Sequence, residues 1–187
     1  MKKTILTLFF CLASFNIVGA AVLLEGIGGY TAIADADNMV GFGGGAGIQV
    51  TDNLNFIVRG FFGSKVNNPD EPDEEKYSHM MVLGFLEYYH RLPTAPVAFS
   101  GYLGLGYSET EIDEPAKEKL SDAGACAAFG AGFYFIMTQH ISPFLTVGYH
   151  KSFYGVDMKD ANIGGFQVLL GVRASIFGRN KSIMEGY

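Results

Sequence analysis

The chain has 187 residues, room for one domain, and a net charge of −6, which argues against a nucleic-acid binder. Its 25 Gly, 16 Phe and 10 Tyr sit beside apolar residues spread along the whole length. Beyond the N-terminus no run approaches the ~20 apolar residues that a membrane-crossing helix needs.

Residues 1–20 read as an export signal. Met1-Lys2-Lys3 is basic, Ile5 to Phe15 is apolar, and Val18-Gly19-Ala20 offers small residues for cleavage before Ala21. Cys11 falls inside this signal and lacks the small residues that a lipoprotein signal places before its cysteine. Cys126 is then the only cysteine of the mature chain, and no intramolecular disulfide can form.

Eight strand-like runs follow, at about 22–33, 39–50, 54–64, 77–91, 97–108, 123–137, 141–152 and 163–177. In the last of them Phe166, Val168, Leu170, Val172, Ala174 and Ile176 share one face, while Gln167, Gly171, Arg173 and Ser175 share the other. The sixth run carries no charge from Ala123 to Met137 and could be mistaken for a helix. Its period of two puts Phe129, Ala131, Phe133 and Phe135 on one face and Cys126, Gly130, Gly132 and Tyr134 on the other, as a lipid-crossing strand requires.

The connections alternate between short and long. Thr51-Asp52-Asn53, Leu92 to Pro96 and Thr138-Gln139-His140 are short turns, and four longer stretches separate the remaining strands. In an up-and-down barrel every second connection lies at the same end; the short turns are expected in the periplasm and the long loops outside the cell.

Fifteen of the 19 carboxylates fall in the long stretches. Asp70, Glu71, Asp73, Glu74, Glu75, Glu109, Glu111, Asp113 and Glu114 are the densest of them and define an expected acidic outer rim. Such a rim would suit divalent cations or a basic surface ligand. The run from Asp70 to Glu75 lacks the glycine and the ligand spacing of a calcium loop, so no metal site is assigned there.

With the apolar faces turned to lipid, the charged strand residues Glu25, Arg59, Glu87 and Arg173 all point inward, as the cost of charge in lipid demands. Two cross-strand ion pairs are expected, Glu25 with Arg173 and Arg59 with Glu87, as parts of one lumenal ion-pair network in the periplasmic half. An eight-stranded barrel is just wide enough to be filled by its own side chains, so these charges would act as a plug in a polar lumen. Gly41, Gly43, Gly45 and Gly47 on the inner face of the second strand would make room for Tyr102 and Tyr134 from the opposite wall. The same glycines fit a loose G-x-G-x-x-A, but strand follows them and no helix N-terminus is present to hold phosphate.

The export signal, the eight alternating strands, turns such as Thr51-Asp52-Asn53-Leu54-Asn55-Phe56 and the Gly-rich last strand closing on Phe177 resemble the small outer-membrane β-barrel proteins of the OmpA-domain and OmpX type. The resemblance covers residues 21–177 and implies an all-β, eight-stranded, antiparallel up-and-down transmembrane barrel. It also implies a monomer in the cell outer membrane, in contact with its lipid and lipopolysaccharide, with no cofactor. Residues 178–187 would form a short periplasmic tail, with either Phe177 or Tyr187 as the terminal aromatic used in assembly.

One enzymatic alternative rests on His150-Lys151-Ser152. Outer-membrane lipid A deacylases carry a His-x-Ser pair near the outer end of a strand, where Asp157 or Asp160 could orient the histidine. Against it, Phe153 replaces the asparagine common in that family, and alternation turns His150 and Ser152 inward, away from lipid. The expected function is therefore a non-enzymatic barrel with a structural or adhesin-like role through its acidic loops. A narrow passive porin is the alternative.

Overall fold

A computed structural model describes residues 21–33, 37–67, 75–113, 120–154 and 163–176. The expected export signal and the C-terminal tail, with Phe177 and Tyr187, lie outside the described residues. Eight strands form: β1 (Val22–Ile33), β2 (Asp37–Thr51), β3 (Leu54–Asn67), β4 (Glu75–Arg91), β5 (Val97–Asp113), β6 (Leu120–Phe135), β7 (Ile141–Phe153) and β8 (Gly164–Ile176). Each is antiparallel to the next, and β8 pairs back onto β1 to close the barrel. Closure removes both sheet edges, so the strands' backbone groups are satisfied within the wall, which is what a β-structure in lipid requires.

Alternation along each strand sorts the side chains between two environments. Leu105 is 74 % exposed, and Val40, Phe42, Leu103 and Leu170 are exposed to a similar degree on the outer surface. A belt of bare aliphatic and aromatic groups on this scale would aggregate in water and is stable only against lipid. Aromatic residues mark its two borders. Tyr88, Phe99, Phe133 and Phe135 lie near the short turns, and Tyr30, Tyr107, Phe153 and Phe166 lie toward the other end. Several stack across strands, such as Phe99 on Phe133 at 5.5 Å and Tyr149 on Phe166 at 5.6 Å between ring centres.

The strands are longer than the sequence pattern suggested. β3 continues to Asn67, β4 begins at Glu75, and β5 runs on to Asp113. The reason is that the period of two persists after the apolar residues end: Ser108 and Thr110 stay buried in the lumen while Glu109 and Glu111 face out. Glu75, Glu109, Glu111 and Asp113, expected in loops, therefore stand on ladder positions, with Lys76 opposite Asp113 and Ser78 opposite Glu111. Asp70, Glu71, Asp73, Glu74 and Glu114 lie outside the described residues.

The lumen is layered and not uniformly polar, which corrects the expected polar core. Nearest the short turns, Ala21, Leu23 and Ile57 form a small apolar cluster. Above them come the inward charges, then an apolar layer that includes Ile27, Phe61, Met81, Leu83 and Leu169. A band of histidine and hydroxyl side chains follows, and Ile33, Met39 and Ile163 close the far end, packed against Tyr77, Ile112 and Tyr154.

Candidate functional site: the lumenal charge cluster

One row across the wall builds the cluster. Arg173 of β8 is directly opposite Glu25 of β1, Glu25 is opposite Gly45 of β2, and Gly45 is opposite Arg59 of β3. Gly45 has no side chain to fill the gap, so Glu25 and Arg59 meet across an intervening strand. A Cβ at position 45 would stand 3.0 Å from Arg59 Cγ and 3.1 Å from Glu25 Oε2.

Glu25 is the hub. Arg59 donates Nε to its Oε2 at 2.6 Å and Nη2 to its Oε1 at 3.2 Å, and Arg173 donates Nε to Oε1 at 2.8 Å. Glu87 lies on the opposite side of the lumen and forms an ion pair with Arg173, whose Nη2 is 2.8 Å from Oε2. Asn55 Nδ2 also donates to Oε2, at 2.9 Å, and the Tyr134 hydroxyl donates to Oε1. Tyr134 in turn accepts from Arg173 Nη2 at 2.9 Å, so this tyrosine links acid and base. All four charged residues and Tyr134 are buried, and short charge-assisted bonds of this kind are what a carboxylate needs when it is cut off from water.

The contacts within the network are unequal. Glu25 does face Arg173, but it also takes the short contacts of Arg59. The register sets Glu87 opposite Asn55, four residues from Arg59, because the ladder aligns Arg59 with Leu83. Arg59 and Glu87 approach only to 3.9 Å. The four charges form one neutral cluster.

Aromatic rings pack against both guanidinium groups. Arg173 lies 4.5 Å from the Tyr134 ring centre, and Arg59 lies 5.1 Å from that of Phe85. The glycines play a different part from the one expected. Tyr102 is accommodated by Gly130 of β6 and Gly148 of β7, where any Cβ would run into its hydroxyl group. Gly41 of β2 makes room for Phe61 instead, and Gly45 for Arg59 and Glu25. Two cavities flank the cluster, one lined by Asn55, Tyr89, Ser142 and Arg173, the other by Ile27, Arg59, Met81 and Tyr102. Each is about 10 Å³, space for about one water.

Toward the long-connection end, His150 and Ser152 point into the lumen and are buried, as their alternation predicts. They are not hydrogen-bonded to each other. Ser152 Oγ instead accepts from Ser108 Oγ at 2.7 Å, and neither ring nitrogen of His150 has a hydrogen bond among the described residues. A nucleophile needs its base within hydrogen-bond reach, and this serine is engaged elsewhere. Asp157 and Asp160 lie outside the described residues. Sequence reasoning passed over His79, which also points inward, and Tyr134's bridging role. Counting by two from Glu87 would have placed His79 in the lumen.

A closed antiparallel barrel of eight strands with an apolar outer belt and inward charges is a transmembrane β-barrel. No protein-family model matches the chain, and no curated protein matches it. Solved structures do. Neisserial surface protein A superposes with a TM-score of 0.63 at 14 % identity, over 84 % of this chain and 97 % of that one. Ail, the attachment invasion locus protein of Yersinia pestis, in complex with the heparin analogue sucrose octasulfate, gives 0.57 at 13 % identity, over 84 % and 99 %. The N-terminal β-barrel domain of Pseudomonas aeruginosa OprF gives 0.50 at 17 % identity, over 83 % and 97 %. At these identities the likeness is one of fold. Fold and belt together make this chain a small eight-stranded transmembrane barrel with the fold of these outer-membrane proteins.

Proposed function

We propose that this barrel is closed to solutes and non-enzymatic, and that it works through an acidic rim at its long-connection end, turned outward from the cell in a structural or surface-interaction role. The observation that supports the closed lumen is the buried Glu25–Arg59–Glu87–Arg173 cluster, with water-sized cavities beside it among the described residues. Glu75, Glu109, Glu111 and Asp113 on β4 and β5 supply the described part of the rim. The comparison with Ail sharpens the choice of partner. That protein is seen with a sulfated polyanion, which these carboxylates would repel. The partner here is a cationic surface or a divalent ion bridging the rim to lipopolysaccharide phosphates. The protein acts as a monomer, since closure leaves no strand edge to pair with a second copy.

Planar-bilayer recording of the refolded protein tests the first part. The wild type is expected to be silent, and reproducible current steps altered by Glu87→Gln would make it a narrow porin. For the rim, shortening residues 65–76 is expected to reduce binding of cells or of cationic matrix protein. Unchanged binding would remove the surface role.

A further inference from the structure

The histidine and hydroxyl band takes no part in the charge cluster, yet it is built with care. His79 of β4 and His150 of β7 are each 1 % exposed, and their rings lie 5.3 Å apart, tilted by 31°. His79 Nδ1 is 2.7 Å from Thr110 Oγ1. Beyond it Thr110 Oγ1 is 2.7 Å from the Tyr154 hydroxyl, which in turn contacts Ser108, itself donating to Ser152 at 2.7 Å. A neutral His79 that gives its Nδ1 proton to Thr110 keeps a bare lone pair on Nε2. Among the described residues this Nε2 has no hydrogen-bond partner, and the ring of His150 has at most a loose contact with the Gly165 backbone.

Buried polar atoms are rarely left alone, and two facing neutral imidazoles can each offer one lone pair to an electron-pair acceptor. We propose that His79 and His150 bind one late first-row transition-metal ion, of the zinc or copper class, in the lumen beneath the Ile33–Met39–Ile163 lid. An ion about 2.0–2.1 Å from one nitrogen of each ring stands about 3 Å from each ring centre, which matches a separation of 5.3 Å for one bent bridge. The terminal torsion of a histidine is broad, so the His150 ring can turn a nitrogen into the gap without leaving its place, while His79 keeps its contact with Thr110. The donation from His79 Nδ1 to Thr110 is the outer-shell contact that orients a ligating histidine. Imidazole nitrogens select zinc, copper or nickel over the oxygen-seeking calcium and magnesium. Among the described residues no third His, Cys, Asp or Glu joins the pair; the remaining positions fall to hydroxyl oxygen or solvent.

The test uses the whole barrel refolded in detergent micelles in the presence of Zn²⁺ or Cu²⁺, with Ca²⁺ as the contrasting probe. One zinc or copper ion per chain is expected, with the ring ¹⁵N resonance of His79 Nε2 shifted in the wild type. His79→Gln and His150→Gln should each weaken binding at least tenfold, and Thr110→Val should weaken it about 10- to 100-fold. The exposed histidines provide the control, because His90→Gln with His140→Gln should leave the affinity unchanged. Failure of Zn²⁺ and Cu²⁺ to bind would overturn the proposal. So would binding that survives in both lumenal variants, or a wild-type spectrum in which the His79 ring does not respond.

Discussion

Glu25 and Arg59 sit on strands that are not neighbours, and they touch only because Gly45 stands between them. Gly45→Leu should therefore act on the charge cluster without altering any charged residue. Its side chain would occupy the space that Arg59 Cγ and Glu25 Oε2 now share. Separating a buried pair costs roughly 3–5 kcal/mol, and urea unfolding in micelles should show a loss of that order. A variant as stable as the wild type would mean that the contact contributes little.

The two acids are unequal. Glu25 receives short bonds from both arginines, whereas Glu87 receives one arginine, Asn55 and Tyr134. Replacing Glu25 with glutamine leaves two guanidinium groups short of charge, and Glu87→Gln leaves one. Equilibrium unfolding should rank Glu25→Gln as the more destabilising. A double-mutant cycle should give a larger coupling for Glu25 with Arg59, at 2.6 Å, than for Arg59 with Glu87, at 3.9 Å.

Tyr134→Phe keeps the ring against Phe144 and Tyr89 and removes only the hydroxyl group. Glu87 then loses a donor and Arg173 an acceptor in a site closed to bulk water. A cost of about 1–3 kcal/mol is expected, read as a lower urea midpoint with an unchanged slope. An unchanged midpoint would assign Tyr134 a packing role alone.

The outer belt predicts a depth dependence. Phe129→Lys, at mid-strand on β6, should cost about 2–4 kcal/mol, while Val66→Lys, near the end of β3, should cost about 0–1. Both residues are exposed on the outer face, so ordinary surface accessibility cannot separate them. Equal costs would argue against a lipid-facing belt.

Strand number, closure and the inward set of charges were legible in the sequence because a period of two survives in every strand, from Leu24 and Glu25 to Arg173 and Ile176. Depth was not legible. The β3 and β4 strands are joined by one of the long connections, so no tight turn fixes their register, and a shift along the ladder left Glu87 beside Asn55 instead of Arg59. Strand ends were hidden for another reason. Above the lipid the outward positions of β5 become Glu109, Glu111 and Asp113, which read as loop although the ladder continues beneath them. Tyr134 looked like one more inward aromatic, since its partners come from β4 and β8 and only the closed barrel brings them to it.

Two negative and two positive charges in the cluster sum to zero. Moving a charge across a membrane potential takes about 2.3 kcal/mol per elementary charge per 100 mV. The intact cluster carries no net charge for a field to displace, so a voltage swing acts on it only weakly, through its internal dipole. Glu87→Gln would leave an unbalanced positive charge in the bore, and a lumen nearly indifferent to voltage would become one that senses it.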